Sequence, residues 1–481
     1  MARPTMSRTI AGDTLRYVYF HGGIATRRLG IAQLYSKQTL CYSSLSDKIK
    51  EVDMNFMDSS RTAFRKKSFG ELLRALTVLS LCSSNSLVTH NQQLMTTFRK
   101  ILGRSLYERF MQLTFYGQFV IGKEEKTVRP IIERYLKDGV GPILYYALEE
   151  DKSETNRLSN DPFYARNVAS FKEAIDITAR AAKTNGYIAV KPTALCSPYL
   201  WVKLTEVIQQ RTQQVESDSY HRHTEFLCGS QPEGLTKVEV QELNKLGQRA
   251  EDIITHAAHS GVRVMIDAEQ TYMQPAIQRV LGVEMMNKFN KKSVVVFVTY
   301  QTYLKGALQN IARDLQYCQR ENIKFGGRIV RGAYLNQERN LAEEHGYEDP
   351  TNPSFSATSQ MYHNVVQLLL QRIEDSPGDT EVMFATHNED TLRFILSLLE
   401  LKSYSTNNIS FGQLYGMCEH ITFHLGQVGI PVYKSMPYGE IDLVTSYLGR
   451  RVIENKGVFE KVKKEKKLLS KELARRVWKK N

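Results

Sequence analysis

Two adjacent guanidiniums, Arg450 and Arg451, stand in the run KSMPYGEIDLVTSYLGRRVIEN (434–455), behind a short apolar stretch and a Pro-Tyr-Gly turn. At 3.6 residues per turn, Ile441, Val444, Leu448 and Val452 form a buried stripe. Tyr447, Arg450, Arg451 and Glu454 fall at i, i+3, i+4 and i+7 on a second, polar face. Like charges held side by side repel, so the pair suits capture of an anion, and the guanidinium fork matches a carboxylate. Taken alone, an Arg-Arg pair more often marks a solvated helix. Further polar or ionisable groups each close a short apolar run: Glu149, Lys191, Asp267 with Glu269, Gln301, Arg331 with Tyr334, His387 with Asn388, Gln413 and Ser435. One buried lysine or aspartate would be a satisfied core group, but this many polar ends are hard to explain by packing. Lys191 by itself would also serve as the Schiff-base nucleophile of a barrel aldolase, which needs no redox cofactor.

The runs that carry these groups are PILYYAL (142–148), YIAVKPT (187–193), VRVMIDA (262–268), VVVFVTY (294–300), GGRIVRGA (326–333), EVMFAT (381–386), ISFGQL (409–414) and PVYKSM (431–436). They are apolar on both faces and alternate with longer helical stretches, which describes parallel βα units. Eight such units predict an α/β fold, a (β/α)8 TIM-like barrel over 139–456, with working residues at the carboxyl ends of the strands. A helical N-terminal arm is expected over 51–138, from FGELLRALTVLSLC, HNQQLMTTFRKILG and SLYERFMQLTFYGQFVIG. The stretch at about 212–250 is too long for an ordinary connection and reads as a helical insertion. His221 and His223 lie there without the further ligands a metal site requires.

With 481 residues, a net charge of +13 and 42% apolar residues, the composition fits a globular enzyme, and no apolar run approaches the roughly 20 residues of a membrane span. Cys41, Cys82, Cys196, Cys228, Cys318 and Cys418 are scattered with no CxxC pair, as free thiols in a reducing compartment would be. Residues 1–50 carry eight arginines and lysines against Asp13 and Asp47, among many hydroxyl residues. That reads as a mitochondrial transit peptide or as a disordered basic tail. The basic helix at 457–481 reads either as a solvated cap on the barrel or as a contact for anionic lipid. No nucleic-acid module is present in the sequence. Nor does a GxGxxG follow any strand, which argues against a Rossmann site.

The Pro-x-Gly turn followed by Tyr-Leu-x-Arg-Arg-x-x-Glu-Asn resembles the C-terminal signature of the proline dehydrogenase family, flavin enzymes that oxidise a cyclic amino acid. The likeness runs from about Phe69 to about Arg476, through FYGQFVIG, VMIDAEQTY, GRIVRGAY, YEDPTNPSFSATSQMYH, ATHNEDTLRF and FGQLYGMC. The resemblance implies FAD bound on the barrel. Arg328 and Arg331 would lie near the isoalloxazine and the pyrophosphate, with Gly332 and Ala333 allowing close backbone approach. Gln301 would hydrogen-bond the ring, Thr386, His387 and Asn388 would line the dinucleotide, and Glu454 would reach it from the last helix. It places the substrate carboxylate on Arg450, Arg451 and Lys191, with Asp267 and Tyr334 shaping the pocket and Leu414 and Ile329 as apolar walls. Glu149 would pair with Arg450 and close a lid. The chemistry belongs mainly to the flavin, so no dedicated general base is assigned.

One position bears on the ring that is oxidised. Where proline-oxidising members usually carry Tyr, two residues before the Pro-x-Gly turn, this chain has Ser435, and Tyr145 stands where an Asp is common. The phrase YKSMPYG resembles the hydroxyproline dehydrogenase branch. The resemblance therefore implies oxidation of trans-4-hydroxy-L-proline to 1-pyrroline-3-hydroxy-5-carboxylate, with L-proline as the alternative substrate. It also implies a quinone acceptor and peripheral association with the matrix side of the mitochondrial inner membrane.

Overall fold

The computed structural model describes residues 59–84, 90–146, 161–183, 186–214, 234–401, 408–442 and 463–478, together with Ile49, Tyr404 and Val444. Eight strands run β1 (Val140–Tyr146), β2 (Tyr187–Val190), β3 (Arg263–Ile266), β4 (Val296–Gln301), β5 (Phe325–Val330), β6 (Thr380–Ala385), β7 (Ile409–Leu414) and β8 (Val432–Tyr438). Each pairs in parallel with the next, and β8 returns to β1 through the register Val140↔Val432 to Tyr146↔Tyr438, closing a barrel in sequence order. The expected (β/α)8 architecture is therefore the one observed. The reason is legible in β4, whose residues VFVTYQ are all buried. Val296, Val298 and Tyr300 pack into the layer between barrel and helices, while Phe297 fills the interior. A strand covered on both faces cannot alternate polar and apolar residues, and this one does not.

The helices are α1 (Phe69–Cys82), α2 (Asn91–Leu113), α3 (Glu125–Leu136), α4 (Asp161–Ala182), α5 (Pro198–Gln214), α6 (Lys237–His259), α7 (Ala307–Arg320), α8 (Leu335–His345), α9 (Phe355–Asp375), α10 (Glu389–Leu401), α11 (Glu419–Gln427) and α12 (Lys463–Trp478). Capping boxes start α1 at Ser68 and Glu71, and α6 at Thr236 and Glu239, each pair satisfying two amides that have no partner within the helix. Of the stretch 212–250, residues 215–233, with His221 and His223, lie outside the described residues. From Lys237 onward the chain is the long helix α6, which buries Leu243, Leu246, Ala250 and Ile253 and leads into β3. In the N-terminal arm, α2 is broken at Gly103 (φ +70°, ψ 168°), a non-helical kink at the point where the sequence suggested two separate helices. Among the described residues no helix is long and apolar enough to cross a membrane.

The C-terminal helix α12 is neither solvated all round nor free. It buries Glu465, Leu468, Leu469 and Glu472 and lies in one apolar cluster with Leu72, Ala75, Val78 and Leu79 of α1. Arg476 at its far end donates to the carbonyls of Lys67 (2.5 Å) and Phe64 (2.8 Å). A basic composition thus conceals an amphipathic face, since the charged residues occupy the remaining turns.

At the amino-terminal ends of the strands the barrel is plugged. Tyr187 meets Phe297 and Tyr433 edge to face, with centroids 5.3 and 4.8 Å apart. Arg263 lies over the Tyr187 ring at 5.3 Å, donates to its hydroxyl at 2.7 Å, and pairs with Glu381 at 3.1 Å. Phe297 is 1% exposed. Phe297→Ala should therefore destabilise the protein by about 3–5 kcal/mol, the transfer loss plus the cavity left in a closed barrel that cannot collapse. A urea midpoint unchanged from wild type would show that this ring does not hold the plug.

Candidate active site

Parallel strands put all their carboxyl ends on one rim, and the period of two decides which side chains face into it. In β2 and β3 the interior line that begins with Tyr187 and Arg263 continues through Ala189 and Met265 to Lys191 and Asp267. In β4 the line from Phe297 reaches Gln301, and in β8 that from Tyr433 reaches Ser435. Arg328 of β5 joins them, donating from Nη2 to Asp267 Oδ1 at 2.5 Å and from Nη1 to Met265 Sδ at 3.7 Å. Its Nε is buried with no acceptor among the described residues. Lys191 is half-buried and leads into the short 3-10 turn Pro192–Ala194. Gln301 is buried and donates to the carbonyl of Glu269 at 2.8 Å.

Glu269 organises this side of the rim. It is 3% exposed, and its carboxylate accepts from the Tyr334 hydroxyl at 2.7 Å and from Thr193 Oγ1 at 3.4 Å. Tyr334, at the start of α8, is thereby held toward the strand that carries Asp267. Gly332 has φ +127°, and a Cβ there would stand 1.8 Å from the Tyr303 ring. Packing on Tyr303 is thus sufficient to require glycine at this position, with Ala333 following it half-buried.

On the opposite side a second motif is tied to the first. Arg331 donates to Ser359 Oγ at 3.1 Å and to Thr391 Oγ1 at 2.9 Å, and its guanidinium lies over the rings of Phe355 (4.9 Å) and Tyr362 (5.6 Å). Burial lowers its pKa, and its Nε has no acceptor among the described residues. The Thr391 amide in turn donates to Asn388 Oδ1 at 2.8 Å, and the Asn388 amide to Thr386 Oγ1 at 3.1 Å. A half-buried cation held by hydroxyls and ring faces, with no carboxylate in hydrogen-bonding contact among the described residues, is suited to meet an anion.

His387 stands between these residues and β7. The Leu414 amide donates to its Nε2 at 2.9 Å, which places the ring proton on Nδ1. Burial first, and then the neighbouring Lys434 ammonium, push its pKa down to about 3, so the imidazole is neutral. Lys434 is itself fully buried on the outer face of β8. Its ammonium donates to the carbonyls of Leu414 (3.0 Å) and Met417, and burial lowers its pKa to about 8.

The structure brings Lys191, Asp267, Gln301, Arg328, Tyr334 and Ser435 to one mouth, with Arg331, Thr386, His387 and Asn388 along its flank. Ser435 is half-buried, registers with Ile143 and Leu414, and its hydroxyl makes no hydrogen bond among the described residues. Glu149, Arg450, Arg451 and Glu454 lie outside the described residues. Ile329 is not a wall of the mouth. Arg328 beside it faces inward, so Ile329, with no exposed surface, packs outward into the helix layer. Leu414 does border the interior. Sequence reasoning placed Glu269 among the polar strand ends without giving it a role and left Lys434 out of the site, although a lysine in the middle of the apolar run PVYKSM was a visible signal.

The fold and the polar rim define a (β/α)8 enzyme whose reaction takes place at the carboxyl ends of its strands. The family model described as "Proline dehydrogenase" matches residues 134–464. "Proline dehydrogenase 1, mitochondrial" of Caenorhabditis elegans is 34% identical, over 95% of this chain and 96% of its own length. "Hydroxyproline dehydrogenase" of Xenopus laevis is also 34% identical, over 88% and 91% respectively. Among solved structures, proline utilization A (PutA) from Bdellovibrio bacteriovorus aligns with a TM-score of 0.58 at 19% identity, covering 88% of this chain. The chain spans 39% of the length of that larger protein, and the likeness bears on the fold. The chain belongs to the proline dehydrogenase family, and its activity is that of a proline/hydroxyproline dehydrogenase oxidoreductase. Membership sets aside the aldolase reading of Lys191.

The depressed His387 pKa has a thermodynamic sign. Between about pH 6.5 and 3 the unfolded chain takes a proton that the folded ring refuses, so this residue's contribution to stability falls as pH falls. The stability difference between wild type and His387→Gln should shift against wild type by roughly 1–2 kcal/mol from pH 7 to pH 5. Paired urea titrations at the two pH values measure it, and a pH-independent difference would mean that the folded imidazole protonates normally.

Proposed function

We propose that the protein is an FAD-dependent dehydrogenase of trans-4-hydroxy-L-proline, forming 1-pyrroline-3-hydroxy-5-carboxylate, and that it works in mitochondria and passes electrons to a quinone at the matrix side of the inner membrane. The observation that carries the flavin is Arg331: half-buried, in contact with hydroxyls and aromatic faces, and carrying a buried Nε without a partner among the described residues. A dinucleotide pyrophosphate supplies the anion such a guanidinium lacks. Arg328, with its own unpartnered Nε, would take the isoalloxazine side together with Gln301. Thr386, His387, Asn388 and Ala333 would line the dinucleotide, and Glu454 would meet it from beyond β8. The fixed tautomer of His387 offers Nδ1–H as a donor while adding no charge.

FAD, when bound, supplies the two-electron acceptor that takes hydride from ring C5 of the imino acid, leaving a cyclic imine. The chain's own residues bind and orient. Lys191, Arg450 and Arg451 would hold the substrate carboxylate, and Glu149 would pair with Arg450 to close the mouth against water. Asp267 neutralises Arg328 on the ring side, and Tyr334 is fixed against it by Glu269. The location is supported by the likeness to proteins named mitochondrial proline dehydrogenase 1 and by the basic leader, and the quinone by the family resemblance of the motifs.

Relatives of both names stand at 34% identity, so the choice of ring rests on Ser435. A tyrosine there would crowd a 4-hydroxyl; serine leaves volume at the mouth and a hydroxyl free of any partner among the described residues. Ser435→Tyr is expected to lower kcat/KM for trans-4-hydroxy-L-proline by about 10–200-fold relative to that for L-proline, the range that pocket shape commands. Steady-state assays of both substrates with one quinone analogue decide it. Equal losses would assign ring choice elsewhere, and protein that binds no FAD would remove the reading altogether.

A further inference from the structure

The helix α12 follows the last described strand by more than twenty residues, yet it touches the loop after β6, which carries His387 and Asn388 of the flank, and the loop after β7 beside it. Its Glu465 is 3% exposed and accepts hydrogen bonds from the amides of Cys418 (2.9 Å) and Glu419 (3.2 Å), at the start of α11 in the loop after β7. The adjacent Lys464 pairs with both carboxylate oxygens of Glu389 (2.8 and 2.9 Å), the first residue of α10 and the neighbour of Asn388 in the loop after β6. We propose that α12 is a clamp that positions these two loops for the cofactor, with Glu465 and Lys464 as positioning residues. This rests on the reading that Thr386, His387 and Asn388 line FAD.

The contacts between clamp and mouth form a continuous path. Cys418 adopts the left-handed region at φ +51°, an expensive conformation for a residue with a Cβ. Its amide is bonded to Glu465, and its thiol reaches the His387 carbonyl at 3.7 Å. The same loop offers the Leu414 and Met417 carbonyls to Lys434, and the Leu414 amide fixes the His387 tautomer. Removing Glu465 releases the amides that anchor Cys418, and the strained loop gains freedom at the point where it supports His387. Helix α12 cannot swing away singly, since Leu468, Leu469 and Arg476 dock it on the arm. The clamp therefore joins the N-terminal arm to the rim, and no residue of α12 need touch the cofactor.

The test uses the full-length holoenzyme and follows release of FAD by the rise in free flavin fluorescence after dilution. Glu465→Gln, which keeps the volume and removes the charge, is expected to speed release at least tenfold, and Glu465→Ala further. Lys464→Met, which breaks only the half-exposed pair, should speed release about threefold and keeps the test open if Glu465→Ala does not fold. Lys467→Ala, on the exposed face of α12, serves as control and should match wild type. At saturating FAD, KM for the imino acid should be unchanged in each folded variant, which a general loosening of the barrel would not produce. Release within twofold of wild type in both Glu465→Gln and Lys464→Met overturns the clamp and leaves the proposed site standing. Wild-type protein that carries no FAD overturns both.

Discussion

A half-buried positive charge with no carboxylate hydrogen-bonded to it among the described residues is the condition on which the site depends. Arg331 is partly withdrawn from water, and among the described residues it contacts two hydroxyls and two ring faces, with Asp390 acting on it without a hydrogen bond. Desolvating a cation costs several kcal/mol that such partners do not repay, so the arrangement persists because the surrounding barrel fixes it. The same contacts do structural work. Through Thr391 and Asn388 the guanidinium links the loop after β5 to the loop after β6, so the groups facing the anion are held in place before it arrives. Pre-formed geometry of this kind reduces what binding must spend on ordering.

The opposite side of the mouth follows a different rule. There the charges are already balanced: Asp267 neutralises Arg328, and Glu269 holds Tyr334, Thr193 and, through its carbonyl, Gln301. One flank is thus charge-deficient and suited to a phosphate-bearing ligand, and the other is neutral overall and shaped by hydrogen bonds. Between them His387 stays uncharged because burial and Lys434 both disfavour its protonation, so it adds a donor to the flank without adding repulsion against Arg331.

The barrel was legible because its strands are covered on both faces and therefore read as unbroken apolar runs of nearly the observed lengths. The polar strand ends were legible for the complementary reason that packing alone does not call for them. What escaped depended on contacts distant in sequence. Ile329 and Arg328 are neighbours in one motif, and only the period of two fixed by pairing to β4 and β6 sends one outward and the other in. Glu269 and Lys434 have roles set by partners 65 and 20 residues away, which no local pattern reveals. The C-terminal helix misleads by composition: the apolar residues that dock it are few, and the lysines around them dominate any average.

The aromatic and ionic plug at the amino-terminal ends of the strands gives the barrel a floor. Tyr187, Phe297, Tyr433 and the Arg263–Glu381 pair fill the cross-section, so the interior is a blind cup and not a tunnel. Whatever enters the interior must therefore enter and depart at the carboxyl ends of the strands. Substitutions in the floor will register as changes in melting, and those at the doorway as changes in turnover, so the two ends of each strand answer to separate selective pressures.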